Sequence, residues 1–217
     1  EPHNETLRKQ NWSFMFGLAI VGLYTTLHIS LSYLVFMHKN YEFNELIWLI
    51  TSVFIIVLIY VLLRFIYRVS VIEIYNLKPS CLPFIIKLCI IFTLIIFINY
   101  YIQGIDISEL KEFENIKSMD TGNLIVYLLL TLIVGPIVEE SVYRGVLYVP
   151  LYRKVGKYLA MILTSFAWTF GHFYDFTTSI GVFILGFFLA WLYDRSGSLL
   201  HPIVLHMFRN SWFIFHI

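Results

Sequence analysis

The chain has 217 residues, of which 59% are hydrophobic and 13% charged, with a formal net charge of +1. Soluble domains carry about 25% charged residues, so the composition excludes a soluble globular protein and indicates an all-α polytopic membrane protein. No basic run or aromatic–basic interleaving points to nucleic acid, and Cys81 and Cys89 form no CxxC or zinc-ribbon spacing.

Apolar runs predict about seven transmembrane helices (six to eight) in a single membrane domain, 1–217. In chain order they run Trp12 to Met37, Leu46 to Leu63, Leu82 to Ile102, Leu124 to Val149, Tyr158 to Phe173, Ile180 to Tyr193 and Leu199 to Phe215. The first is too long for a signal-peptide core and lacks a small-residue cleavage site, so no cleavable leader is expected. Residues 1–121 hold three of these spans and an acidic connection, "GIDISELKEFENIKSMDTG".

Lys and Arg alternate between connections. One side collects Arg8, Lys9, Arg64, Arg68, Lys78, Arg153, Lys154, Lys157 and Arg195; the other holds Lys39, Lys111 and Lys117. The positive-inside rule then places the N-terminus in the cytoplasm. The Ile-, Phe- and Tyr-rich composition suggests a bacterial plasma membrane.

Of the fourteen Asp and Glu, only Glu139 and Glu140 lie well inside an apolar run. Intramembrane ionisable residues are costly and mark functional sites by default. Glu140 and Arg144 are i and i+4 with Glu on the N-terminal side, the favourable order for an ion pair. Glu139 lies about 100° around the helix from Glu140. It is left unpaired and able to accept a proton, as a general base must.

His172 is its expected partner. Glu139 precedes Arg153 and His172 follows Lys157 by similar intervals, so a hairpin puts both roughly 20 Å from the turn. Trp168 stands one turn from His172 and can wall or orient the imidazole. On the last span His206 and Asn210 share a face, about 12 and 18 Å from its start.

A carboxylate and an imidazole can deprotonate a water, and a second imidazole with an amide can bind the developing oxyanion. The set therefore suits amide hydrolysis without a covalent intermediate. Ser141 and Ser165 lack a GxSxG context. Zinc held by Glu139, His172 and His206 is the alternative, although HExxH is absent. No cofactor is the favoured reading.

"EESVYRG", "WTFGH" and "HMFRN" together resemble the CPBP family, the CAAX proteases and bacteriocin-processing (Abi) enzymes, whose pattern is EExxxR, FxxxH and HxxxN. The motifs fall on three C-terminal helices, so residues 122–217 would hold the catalytic core. The resemblance implies an intramembrane endopeptidase in which Glu139 and His172 activate water. His206 and Asn210 would form the oxyanion site, with Glu140, Arg144 and Trp168 in support. Family members are often labelled metalloproteases, and a metal-free glutamate mechanism is also proposed for them. The implied partners are the bilayer and a peptide or protein substrate, lipidated in some relatives. Trp168 departs from the usual Phe but keeps an aromatic wall.

The contrasting expectation is a non-catalytic membrane scaffold or bacteriocin-immunity protein that binds a membrane-protein partner. A proton-coupled carrier using Glu139 lacks the inverted repeats such proteins show.

Overall fold

A computed structural model describes residues 12–38, 44–68, 119–172 and 175–215, with isolated positions 83, 86, 87 and 90. The expected span Leu82 to Ile102 and the acidic connection lie essentially outside the described residues. Every regular element among the described residues is helical. These are α1 (Phe14–His38), α2 (Asn44–Ile66), α3 (Thr121–Val155), α4 (Lys157–Phe170), α5 (Phe176–Ser196) and α6 (Leu200–Phe215). Among the described residues, Leu46–Ile66, α3 and α5 are long and apolar enough to cross a membrane, and α1 holds a shorter apolar run, Phe14–Ser30.

The outward faces are apolar, as lipid requires. On α2, Ser52, Ile55, Ile59 and Leu63 are buried at helical spacing, while Ile50, Phe54, Val57 and Phe65 are exposed. No water competes for these exposed side chains in hydrocarbon, so burial in this fold follows shape and polarity more than hydrophobicity.

Local signals set the helix ends. Asp120 caps α3 by accepting from the Gly122 and Asn123 amides at 2.8 and 3.1 Å. Asp175 caps α5, accepting from the Thr177 and Thr178 amides and from the Thr178 hydroxyl. Such bonds favour the ionised carboxylate. Asp120 is held below its ordinary value by the Asn123 and then the Gly122 amide, and Asp175 by the Thr178 hydroxyl first. Gly156 (φ +83°) joins α3 to α4, and Gly197 (φ +70°) ends α5 in the left-handed conformation that non-glycine residues rarely adopt. These caps make α5 longer than the expected Ile180 to Tyr193. α4 ends at Phe170 with Gly171 as its C-cap, so His172 sits in the turn beyond the helix, not on it.

α4 and α5 form the closest antiparallel pair. They meet at Gly186, where an added Cβ would stand 2.8 Å from the Trp168 ring. α1 lies against the second half of α3. Gly17 abuts the Val146 carbonyl, Trp12 Nε1 donates to Val146 O at 2.9 Å, and Arg153 Nη2 donates to Trp12 O. Near the α3–α4 turn, Asp194 of α5 accepts from the Tyr148 hydroxyl at 2.9 Å and pairs with Lys157. α6 packs on the middle of α3, where the polar residues collect.

Candidate active site

The geometry begins with Pro136. A proline has no N–H to donate, and its ring crowds the carbonyl one turn back. α3 accommodates it by widening into π-helical turns over Leu130–Val134, with the Gly135 amide bonding to Leu130 O. The Thr131 carbonyl would take its i→i+5 bond from residue 136, which cannot give one. Asn210 Nδ2 of α6 supplies that bond at 2.9 Å. A proline on one helix thus fixes an amide on another.

α3 widens again over Ser141–Tyr148, directly after the glutamate pair. The two glutamates divide as their spacing predicts. Glu140 is fully buried and takes Arg144 Nη1 at 2.9 Å. The structure enlarges this pair into a network that the sequence did not disclose. Arg144 Nη2 donates to Gly186 O at 2.9 Å, and the guanidinium lies 4.9 Å from the Trp168 ring centroid. The same Glu140 oxygen receives His206 Nδ1 at 3.0 Å. Glu140 is therefore an orienting group for His206 as well as half of an ion pair. The only sequence signal for that link was the shared depth of the two helices.

Glu139 turns toward a cavity, its side chain 16% exposed. Its Oε2 accepts the Trp168 indole N–H at 2.5 Å and stands 3.7 Å from His172 Nε2 and 4.0 Å from His206 Nε2. The hairpin and the last helix do bring Glu139, His172 and His206 together, with Asn210 on the same cavity wall. Trp168 walls both imidazoles edge-on, at 5.1 and 5.4 Å between ring centroids. Its own carbonyl lies 2.8 Å from His172 Nδ1. A carbonyl only accepts, so Nδ1 carries the proton and Nε2 faces Glu139. Glu140 assigns His206 in the same way: the carboxylate accepts from Nδ1–H and Nε2 points inward.

The cavity is about 710 Å³ and draws on every described helix. Tyr24 and His28 of α1, Trp48 of α2 and Arg209 of α6 line it alongside the predicted residues. None of these four was singled out from the sequence, since their spacing along one helix does not show what they face on another. The Ser141 and Ser165 hydroxyls donate to the carbonyls four residues back on their own helices. His201, at the start of α6, is enclosed by protein at 1% exposure.

The donor chemistry bears on zinc as well. Histidines with Nδ1 held by oxygen and Nε2 turned inward are a familiar form of metal ligand. However, Glu139 Oε2 is already engaged by Trp168, and among the described residues no three His, Cys, Asp or Glu side chains converge as a metal-holding group. The set as placed does not fit the ion, so no step below is routed through one.

Residues 121–212 match the family model described as "Type II CAAX prenyl endopeptidase Rce1-like". A protein of Bacillus subtilis (strain 168) named "Putative membrane peptidase YdiL" is 29% identical over 119 residues, which cover 54% of this chain and 47% of the relative. The chain thus spans about half the length of that relative. No solved structure matches the chain significantly. The resemblance carried by the three motifs holds for the segment that contains them, and both matches carry peptidase names.

Proposed function

We propose that the chain is an intramembrane endopeptidase that hydrolyses a peptide bond of a membrane-associated substrate, of the CAAX-tail class named by its family match, by glutamate-activated water. The observation that carries this reading is the spacing around Glu139. Its Oε2 stands 3.7 and 4.0 Å from two imidazole Nε2 atoms, too far for direct hydrogen bonds. That interval suits a water or a substrate oxygen held between them.

In this reading a water gives one hydrogen bond to His172 Nε2 and the other to the Glu139 carboxylate. Glu139 takes the proton as the water oxygen bonds to the scissile carbonyl carbon. The carbonyl oxygen becomes an oxyanion, stabilised by His206 Nε2–H when that ring is doubly protonated and by the second N–H of Asn210. Glu139 then passes its proton to the leaving amine as the C–N bond breaks. Preorganised donors of this kind supply much of the acceleration in acyl transfer. Glu140 with Arg144 and the Thr131 carbonyl keep the two donor side chains aimed before substrate arrives.

The test is cleavage of a fluorogenic, prenylated CAAX-type peptide by the full chain in detergent. Wild type should cleave it, and Glu139→Gln should lose activity while keeping the wild-type melting profile. Equal cleavage by both proteins would refute the reading.

A further inference from the structure

Glu139 is held from α4 by Trp168, and α1 also faces it. α1 runs antiparallel to α3 in a register fixed at several points. Trp12 and Gly17 meet Val146, and the Tyr24 ring packs edge-on against Tyr143 with centroids 6.2 Å apart. One helical turn beyond Tyr24 on α1 is His28, and one turn back from Tyr143 on α3 is Glu139.

The surroundings agree with that register. His28, Glu139, Tyr143 and His172 line a common recess of about 10 Å³, near the lower limit for a single water. The ring is fixed from its other side by Trp48 of α2, at 4.0 Å between centroids, and by Tyr24 at 5.9 Å. The ring held in this way borders both the larger cavity and the recess. Structural packing alone would be met as well by a phenylalanine, which offers nothing to a carboxylate.

We propose that His28 is a positioning residue of the Glu139 site, supplied by a helix outside the segment that matches the family. It acts through a single water, holding the Glu139 carboxylate from α1 as Trp168 holds it from α4. The base then keeps one orientation while the larger cavity admits substrate. The inference rests on Glu139 being the working carboxylate, and its test separates the two claims.

The full chain in detergent is compared with His28→Ala and His28→Gln on the prenylated CAAX-type peptide. His28→Ala should lower kcat about ten- to hundredfold with KM nearly constant. His28→Gln, which keeps a hydrogen-bonding group, should recover part of the rate, and free imidazole should restore part of the activity of His28→Ala. A kcat equal to wild type in His28→Ala would overturn the proposal. The second measurement needs no substrate: ring resonances of histidine-labelled protein, with His28 assigned by its loss in His28→Gln. Glu139→Gln should displace the His28 resonances, and Asp194→Asn, at the far end of the bundle, should leave them in place. Unmoved His28 resonances in Glu139→Gln would overturn the proposal even if the peptide is cleaved. A wild type that cleaves nothing, with the displacement still seen, would fail the protease reading and keep His28 at the Glu139 site.

Discussion

The Trp168 indole N–H donates to Glu139 Oε2 at 2.5 Å, joining α4 to α3 across 29 residues of chain. The same residue offers its carbonyl to His172 and its ring faces to His172, His206 and Arg144. Phenylalanine, usual at this place in the motif, could supply everything except the N–H. Trp168→Phe should therefore keep the fold and lower kcat about tenfold or more, the worth of one hydrogen bond to a charged group. Steady-state peptide cleavage beside a melting curve checks this, and an unchanged kcat would show that the indole donor is not used.

Glu140 and Arg144 predict the opposite balance. Both are fully buried, and each leaves a charge without its counterpart when the other is removed. Arg144→Met or Glu140→Gln should destabilise by about 3–5 kcal/mol, read as a marked fall in thermal midpoint in detergent. Arg144→Met also frees the Gly186 carbonyl and loosens α5 against α3. A midpoint equal to wild type would mean that water reaches the pair.

Gly186 tests the packing that keeps Trp168 in place. A methyl group there would stand 2.8 Å from the indole and 3.3 Å from Ser165 Cβ. The indole is too rigid to yield cheaply, so Gly186→Ala should cost about 1–3 kcal/mol and displace the ring from Glu139. The expected signature is lost cleavage out of proportion to the modest change in stability. Full activity would show that the indole keeps its bond to Glu139 beside the added methyl group.

Pro136 offers a backbone test of Asn210. Pro136→Ala restores an N–H that can claim the Thr131 carbonyl, which releases Asn210 from the bond it now makes. Helix stability should hold or rise, since an interior proline costs about 3 kcal/mol where nothing compensates for it. Cleavage should fall, because the Asn210 amide loses its fixed aim. A variant as active as wild type would sever Pro136 from the site.

The Asp175 cap carries the pH prediction. Hydrogen bonds from Thr178 and Thr177 hold its folded-state carboxyl below the ordinary 3.8. The unfolded chain therefore takes up the proton first as pH falls. The stabilisation is complete above the ordinary value and is lost as pH drops through the lower, folded one. Between about pH 5 and pH 2 the thermal midpoint of wild type should fall more steeply than that of Asp175→Asn, which keeps an acceptor but no titration. Parallel curves would mean that the cap does not persist in detergent.

The sequence by itself determined the helical, membrane-embedded character of the chain, because lipid leaves few other ways to satisfy the backbone. It also determined the division of the two glutamates and the meeting of Glu139 with His172. Helical spacing fixes azimuth, and residues counted from a basic turn fix depth. Tertiary structure alone decided what lies across from each group. Glu140 reaches His206, the Trp168 indole reaches Glu139, and the Thr131 carbonyl reaches Asn210, each through contacts between helices far apart in sequence. It also brought His28 and Trp48 to the cavity, where a lone histidine and tryptophan on apolar spans had given no sign of their partners. Periodicity along one helix states which face a residue occupies. Only the packing of that face against another helix states what the residue can touch.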